Sequence, residues 1–324
     1  MYLYFAPMEG VTGADFRRVH RAMFPEADRC FAPFIAPDAG GNFKKSHLRA
    51  LLPDLNRGVP LVPQILANSA QGFLGAAKTL AELGYTEVNL NAGCPSGTVV
   101  AKHKGAGMLA DPASLDAFLN EVFSHTPIAV SVKTRLGLHS TEEFPAILEV
   151  YNRYPIRELI VHARDRDGMY RSVPDRKAFK AAMAECRCPI CYNGDIFTAE
   201  DAKAVCREMP SVERLMLGRG AVCNPALFRE LRGGEALRRE ELQAFHDALL
   251  EETLRSGLPP VYALARMKEL WSYLIGHFPN SARAYKALNK AREITAYRAA
   301  VDAVFADGVF EPEARLCTWE GAAP

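Results

Sequence analysis

The chain has 324 residues and carries 39 Lys+Arg against 38 Asp+Glu, a formal net charge of +1. Apolar residues make up 49% and charged residues 24%, a globular balance that excludes a disordered chain, a collagen-like fibre and a long coiled coil. A total charge this close to zero gives no reason of itself to expect a nucleic-acid partner. The N-terminus, Met1-Tyr-Leu-Tyr-Phe-Ala-Pro7, has neither the basic nor the apolar region of a secretory signal. No stretch approaches the roughly 18 uninterrupted apolar residues of a membrane helix. The expectation is a cytoplasmic protein, with no membrane partner, whose eight cysteines are reduced thiols.

Short apolar or β-branched runs alternate with amphipathic segments. The runs are 2–8, 29–34, 61–67, 87–91, 128–134, 158–163, 189–193 and 214–217. They read as lacking polar alternation and end near Gly, Pro, Asn or a charge, as parallel strands buried on both faces do. Between them, Asn68 or Ser69 opens a helix with Phe73, Ala77, Leu80 and Ala81 on one face. Asp111 precedes Pro112 at a first helical position, with Leu115, Phe118, Leu119 and Val122 following. Ser140 and Glu143 have capping-box spacing ahead of Phe144, Ile147, Leu148 and Tyr151. Thr198 opens a further helix with Ala202 and Val205. Eight such strands with intervening helices predict an α/β fold, a (β/α)₈ TIM barrel. A doubly wound sheet would want a Gly-rich dinucleotide turn after the first strand, and none is there. Strand-like runs stop near Gly233-Gly234, and 237–254, 260–278 and 282–306 read as helices. The predicted organisation is a catalytic barrel over 1–234 and a small C-terminal all-helical domain over 235–324.

Barrel active sites are built at the C-terminal strand ends. There the chain places Pro7 and Met8, Gln64, Asn91 and Cys94, Lys133 and Arg135, His162 and Arg164, Asn193, Gly194 and Asp195, and Gly218 and Arg219. Each alone has a structural explanation, Gln64 or Asn91 satisfying backbone and His162 as a core histidine. Together they point to a ligand site. Glycines after the last two strands allow close approach of backbone N–H groups to an oxyanion, and Arg219 adds a planar cation. That pattern predicts a phosphorylated cofactor. Lys133, on the apolar run Ile128-Ala-Val-Ser-Val, needs an anionic or strongly hydrogen-bonding partner. A reduced flavin supplies negative charge at its N1–O2 edge, and Gln64 can donate and accept toward a pyrimidine edge. A thiol of ordinary pKa, about 8.5, is mostly protonated near neutral pH, which suits Cys94 to general-acid work. A small buried hydrophobe is the other reading of Cys94. Cys186, Cys188 and Cys191 are spaced C-x-C-x-x-C with no clear fourth ligand, so no metal is expected.

The stretches Ala6-Pro-Met-Glu-Gly-Val-Thr12, Asn89-Leu-Asn-Ala-Gly-Cys-Pro-Ser96, Ser131-Val-Lys-Thr-Arg-Leu-Gly137, Val161-His-Ala-Arg164, Asn193-Gly-Asp-Ile196 and Leu217-Gly-Arg-Gly-Ala221 occur in this order along the whole barrel. In them the chain resembles the tRNA-dihydrouridine synthases, flavoenzymes that reduce C5=C6 of uridine in tRNA. The resemblance implies FMN as cofactor and NADPH as reductant. Pro7 and Met8 would lie beside the isoalloxazine, and Gln64, Lys133 and His162 at its polar edge. Asn193, Gly194, Gly218 and Arg219 would hold the ribityl phosphate, with Asp195 also in the cofactor group. Asn91 would meet flavin and uracil, hydride would reach uracil C6, and Cys94 would protonate C5. Arg135 and Arg164 would sit near the substrate nucleotide. The chain departs from the family at Gly13, where the usual acid is displaced to Asp15. It departs again at Lys102-His103-Lys104 ahead of Gly105-Ala-Gly107.

The C-terminal part resembles the family's helical RNA-binding domain around Met267–Trp271 and Ala287–Ala291. Residues 266–298 hold seven Lys+Arg against two Asp+Glu, and Arg283, Lys286 and Lys290 recur on one helical face. Such a run is often only a solvated face; in this position it points to tRNA, bound by a monomer. The rivals are an FMN-dependent small-molecule pyrimidine or ene reductase on the same barrel, and a non-catalytic RNA-binding protein.

Overall fold

The computed structural model describes residues 1–257 and 259–316; Cys317 lies outside them. The apolar runs form β1 (Tyr2–Phe5), β2 (Arg29–Phe31), β3 (Leu61–Val62 and, after Pro63, Gln64–Ile65), β4 (Glu87–Ala92), β5 (Ala129–Gly137), β6 (Leu159–Asp165), β7 (Ile190–Asn193) and β8 (Arg214–Leu217). Pro63 splits β3 because it has no N–H to give the ladder. Its carbonyl still accepts from the Asn89 N–H at 2.8 Å. The first half of β3 pairs with β2 and the second with β4, and the strand order runs on through β1 and β8 back to β4. The pairs are parallel. The sheet therefore closes on itself in chain order, which is the expected (β/α)₈ barrel.

The helix signals hold at their starts. Ser69 Oγ accepts from the Gly72 N–H, Asp111 caps the helix Pro112–His125, and the Ser140–Glu143 capping box is formed. Several extents differ from the pattern: the run 29–34 is a strand only over Arg29–Phe31, 61–67 ends at Ile65, and 128–134 continues to Gly137. The run 2–8 is a strand only to Phe5, because the Val11 and Thr12 N–H groups fold back onto the Met8 carbonyl. The segment 282–306 is two helices, Ala282–Lys290 and Ile294–Asp307. At Ala291 the backbone turns extended, and the Lys268 ammonium donates to the Ala291 carbonyl. No helix among the described residues is long and apolar enough to cross a membrane.

The chain divides into two compact units. One comprises Met1–Pro7, Asp28–Gly194 and Met209–Met216 and so holds nearly all of the sheet. The other comprises Met8–Ala27, Asp195–Glu208 and Leu217–Pro324, and includes the C-terminal helices.

Inside the first unit the two-residue period of the strands decides what fills the barrel. Tyr4, Ala6, Phe31, Val62, Ile160, Cys191 and Met216 form one buried apolar cluster. β4 and β5 fill their share with Glu87, Asn89 and Asn91, and with Ser131, Lys133 and Arg135, at alternate positions. These two strands do alternate, contrary to the reading of the runs as uniformly apolar. The amino-terminal end of the barrel is closed by charge. Arg29 pairs with both Glu87 and Glu158, Arg214 Nε lies 3.0 Å from Glu158, and Arg157 Nε lies 2.7 Å from Glu87. Tyr4 Oη donates to Glu158 at 2.9 Å.

The two ends of the Arg29–Glu158 pair feel their surroundings differently. Burial raises the Glu158 pKa above the ordinary carboxylate value, against the pull of Tyr4, Arg29 and Arg214. Burial opposes the charge of Arg29 too, but the two carboxylates outweigh it and raise its pKa. Exposure explains the contrast: the Arg29 side chain is 23% exposed and that of Glu158 3%. A buried carboxylate of this kind adds little net stability, yet removing it strands its partners. Glu158→Ala should therefore lower stability in urea unfolding by about 3 kcal/mol, and Glu158→Gln, which still accepts from Tyr4, by less. A loss under about 1 kcal/mol for the alanine variant would show that this charged layer does not hold the barrel floor.

Candidate active site

The polar residues of β3, β4 and β5 form one hydrogen-bonded chain along the barrel interior. Ser131 Oγ donates to Glu87 Oε1 at 2.7 Å, and Asn89 Nδ2 donates to Ser131 Oγ at 2.9 Å. Gln64 Nε2 donates to Asn89 Oδ1 at 2.8 Å, and Asn91 Nδ2 donates to Gln64 Oε1 at 2.7 Å. Asn91 Oδ1 then accepts from the backbone N–H groups of Gly93, at 3.1 Å, and Cys94, at 2.9 Å. Gln64, Asn89 and Ser131 are fully buried, where an unmade hydrogen bond is costly. The chain thus ties Gln64, Asn91 and Cys94 into one rigid group at the C-terminal strand ends.

The Cys94 loop has two further restraints. Arg135 Nε donates to the Gly93 carbonyl at 2.9 Å. Gly105, at φ +56°, lies against Cys94; a Cβ there would fall 2.8 Å from both the Cβ and the carbonyl oxygen of Cys94. Only glycine fits such a position without strain. The Ala106 N–H donates to the Cys94 carbonyl at 3.0 Å. Cys94 itself remains partly exposed.

Arg135 and Arg164, expected near the substrate nucleotide, are both buried and hold main-chain carbonyls. Besides Gly93, Arg135 Nη1 donates to Asp165 O at 2.8 Å and to Met169 O at 3.1 Å, and its guanidinium lies 5.5 Å from the Tyr170 ring centroid. Met169 and His103 are the non-glycine residues with left-handed φ among those described. Met169 lies on a loop that Arg135 holds, and His103 follows the short helix Gly97–Val100. Arg164 Nε donates to Ser172 O at 2.6 Å, and its Nη1 lies 3.1 Å from His162 Nε2. A guanidinium only donates, so His162 Nε2 accepts and the ring proton sits on Nδ1.

Lys133 lies two residues after Ser131 on β5 and pairs across from Asn91. Burial, helped by the nearby Arg135 cation, lowers its pKa to about 8. It makes no ion pair among the described residues. An ammonium desolvated without a counter-charge favours a ligand with an anionic or carbonyl edge. Gln64 has one N–H and one lone pair left after its two bonds in the chain. These groups fit the pyrimidine edge of a flavin.

At the end of β7, Asn193 Nδ2 donates to Met216 O at 2.8 Å. Gly194 is pressed on the Tyr192 ring so closely that a Cβ would lie 2.2 Å from its Oη. Pro7 completes the first unit's share of the expected cofactor residues. In the second unit, Met8 is held in a turn by Thr12, whose Oγ1 accepts from the Met8 N–H at 2.9 Å. Arg219, next to Gly218, pairs with Asp195 at 2.6 Å, so these two expected cofactor residues first satisfy each other. Gly13 caps the helix Ala14–Met23 without a side chain, and the displaced acid, Asp15, pairs with Arg18 and Arg266. On the helix Ala282–Lys290, Tyr285 and Leu288 are buried while Arg283, Lys286 and Lys290 are exposed. None of these three makes an ion pair among the described residues. Glu87, Asn89, Ser131, Gly105 and Tyr170 were not singled out by sequence. The signal for the first three was the i, i+2 spacing Glu-x-Asn-x-Asn and Ser-x-Lys-x-Arg.

This is the architecture of barrel enzymes whose chemistry sits at the C-terminal strand ends. Among solved structures the fold is similar to morphinone reductase, at a TM-score of 0.52 and 14% identity, over 73% of this chain and 87% of that one. It is also similar to histamine dehydrogenase from Rhizobium sp. 4-9, at a TM-score of 0.55 and 10% identity; there the match covers 71% of this chain but 45% of the other. The chain belongs to the dihydrouridine synthase (Dus) family, whose model matches residues 4–307, and is thereby an oxidoreductase. It is 29% identical to a tRNA-dihydrouridine(16) synthase of Pseudomonas putida over 90% of this chain and 93% of that protein. It is 31% identical to tRNA-dihydrouridine synthase B of the same organism, over 77% and 74%.

Replacing Gly105 by alanine tests the restraint on the loop. The left-handed φ and the overlap with Cys94 should cost about 1–2 kcal/mol of stability. The rate of Cys94 alkylation by a maleimide should change while the other thiols react as before. Unchanged stability and unchanged Cys94 reactivity would mean that Gly105 does not shape the loop.

Proposed function

We propose that this enzyme reduces a uridine of tRNA to dihydrouridine, with Cys94 as the general acid. The observation that carries the reading is the interior hydrogen-bonded chain, which holds Gln64, Asn91 and the Cys94 backbone in one group. FMN, when bound, would supply the hydride for uracil C6, with NADPH as the reductant. Gln64, Lys133 and His162 would hold the flavin's polar edge, and Asn193 and Gly194 its phosphate side. Asn91 keeps the Cys94 backbone fixed, so that the thiol can deliver its proton to C5 from a constant position. Arg135 and Arg164 act by bracing the loops around Cys94 and 165–172.

A uridine within folded RNA is stacked and must be turned out before C5 and C6 are reachable. The exposed cations Arg283, Lys286 and Lys290 suit the phosphate backbone, where such contacts supply much of the affinity. We propose a cytoplasmic enzyme that works as a monomer. Cys94→Ala should remain yellow and should keep NADPH-driven flavin reduction, but should form dihydrouridine in unmodified tRNA at least 100-fold more slowly. Normal dihydrouridine formation by that variant would remove Cys94 from its role. A small-molecule reductase would instead turn over free uracil or orotate and leave tRNA unchanged.

Lys133 gives a pH test. Its pKa in the ligand-free protein is lowered to about 8, so the charged form that a flavin needs predominates below pH 8. Above that, binding must take up a proton, and FMN affinity should fall by up to tenfold per pH unit. Flavin fluorescence titrations between pH 7 and 9.5 check this. Lys133→Met should bind more weakly with a flat profile over the same range, and an equally steep profile in that variant would place the titration elsewhere.

A further inference from the structure

Two cysteines lie away from the residues used so far. Cys186 ends the helix Arg176–Glu185 and Cys188 follows two residues later, ahead of β7. Their Sγ atoms are 3.6 Å apart. Both are partly exposed, unlike Cys30, Cys191 and Cys223, which are buried. The backbone between them is clamped. Asn152 Nδ2 donates to Glu185 O at 3.0 Å, and Asn152 Oδ1 accepts from the Arg187 N–H at 2.9 Å. The Cys186 N–H donates to Ala182 O at 2.9 Å. The segment is therefore preset with both sulfurs on one side of Arg187. Among the described residues no group of three His, Cys, Asp or Glu is placed to hold a metal ion, so the two thiols are a pair and not part of a larger ligand set.

We propose that Cys186 and Cys188 are a reversible dithiol–disulfide pair, a modification site for low-molecular-weight disulfides such as oxidised glutathione. The two thiols are not equivalent. The hydrogen bond between the two sulfurs stabilises one thiolate on the pair, and it lowers the Cys186 pKa to about 7 against the effect of burial. Cys188 is pushed well up by the same interaction. Cys186 is thus the attacking thiolate. It displaces one glutathione thiolate from the disulfide and forms a mixed disulfide. The Cys188 thiol, losing its proton, then attacks the Cys186 sulfur and releases the second glutathione. Two protein thiols are oxidised by two electrons, and one glutathione disulfide is reduced to two thiols. The sulfurs must close from 3.6 Å to about 2.05 Å. A ring spanning only one intervening residue is strained, which makes the bond readily reduced again.

The site lies at the amino-terminal end of β7, the opposite end from Asn193, so its test does not depend on the reading of the active site. The full-length protein is incubated with oxidised glutathione, free thiols are alkylated, and the protein is digested with trypsin. Cleavage after Arg187 puts the two cysteines in separate peptides, 181–187 and 188–203. The expected product is these two peptides joined through Cys186 and Cys188, and released by dithiothreitol. Cys188→Ser should accumulate a glutathione adduct on Cys186. Cys186→Ser should accumulate one on Cys188. The proposal is overturned if both thiols remain alkylated under conditions where other cysteines react, or if Cys186 is found joined to Cys191.

Discussion

The hydrogen-bonded chain from Cys94 to Glu87 is the constraint on which the rest of the barrel depends. Every bond in it donates in the same direction. The Cys94 N–H donates to Asn91, Asn91 to Gln64, Gln64 to Asn89, Asn89 to Ser131, and Ser131 to Glu87. The acceptor at the end is a carboxylate, and Arg29 and Arg157 balance its charge. A chain of amides could in principle run either way, but a carboxylate end that only accepts, and backbone N–H groups at the other end that only donate, allow one sense. The orientation of Gln64 and Asn91 is set from the barrel floor. Bonds aligned this way also polarise one another in a low-dielectric interior.

That constraint explains a barrel interior of two kinds. Phe31, Val62, Ile160, Cys191 and Met216 fill their side by close packing, and Tyr4 packs with them while its hydroxyl donates to Glu158. β3, β4 and β5 carry groups that tolerate burial only because each is satisfied. The polar side leads to the Cys94 loop, where Arg135 and Gly105 finish the task on the loop's outer turns. Lys133 stands out against this satisfied background as a cation without an ion-pair partner among the described residues, a contrast that supports the proposed flavin site.

Much of this was legible in the residues. The eight strands, the caps at Ser69, Asp111 and Ser140, and the polar strand ends were all apparent, because each rests on local chemistry and short periods. The interior chain was not. Its members share a strand face, but the runs around them are rich enough in Val, Leu and Ala to mask the alternation, and Gln64 joins Asn89 only through strand pairing. The helix break at Ala291 was hidden for a similar reason, since it depends on Lys268, a residue of another helix. Arg135 and Arg164 were visible as cations at strand ends. Where a guanidinium is spent depends on which carbonyls the loops bring to it, and spacing along the chain does not encode that.

The total charge of +1 likewise concealed a distribution. Of the basic residues between 266 and 298, Arg266, Lys268 and Arg298 are engaged within the second unit by Asp15, Ala291 O and Glu251. Arg283, Lys286 and Lys290 stay exposed on one helix, a placement that suits a polyanion. The central claim is that this barrel and this helix serve one reaction on tRNA. The most direct test maps dihydrouridine across cellular RNA in cells with and without the protein. The account predicts that one or more tRNA dihydrouridines disappear without it and return with the wild-type chain but not with Cys94→Ala. An unchanged map, with every dihydrouridine retained in its absence when no other synthase is present, would contradict it.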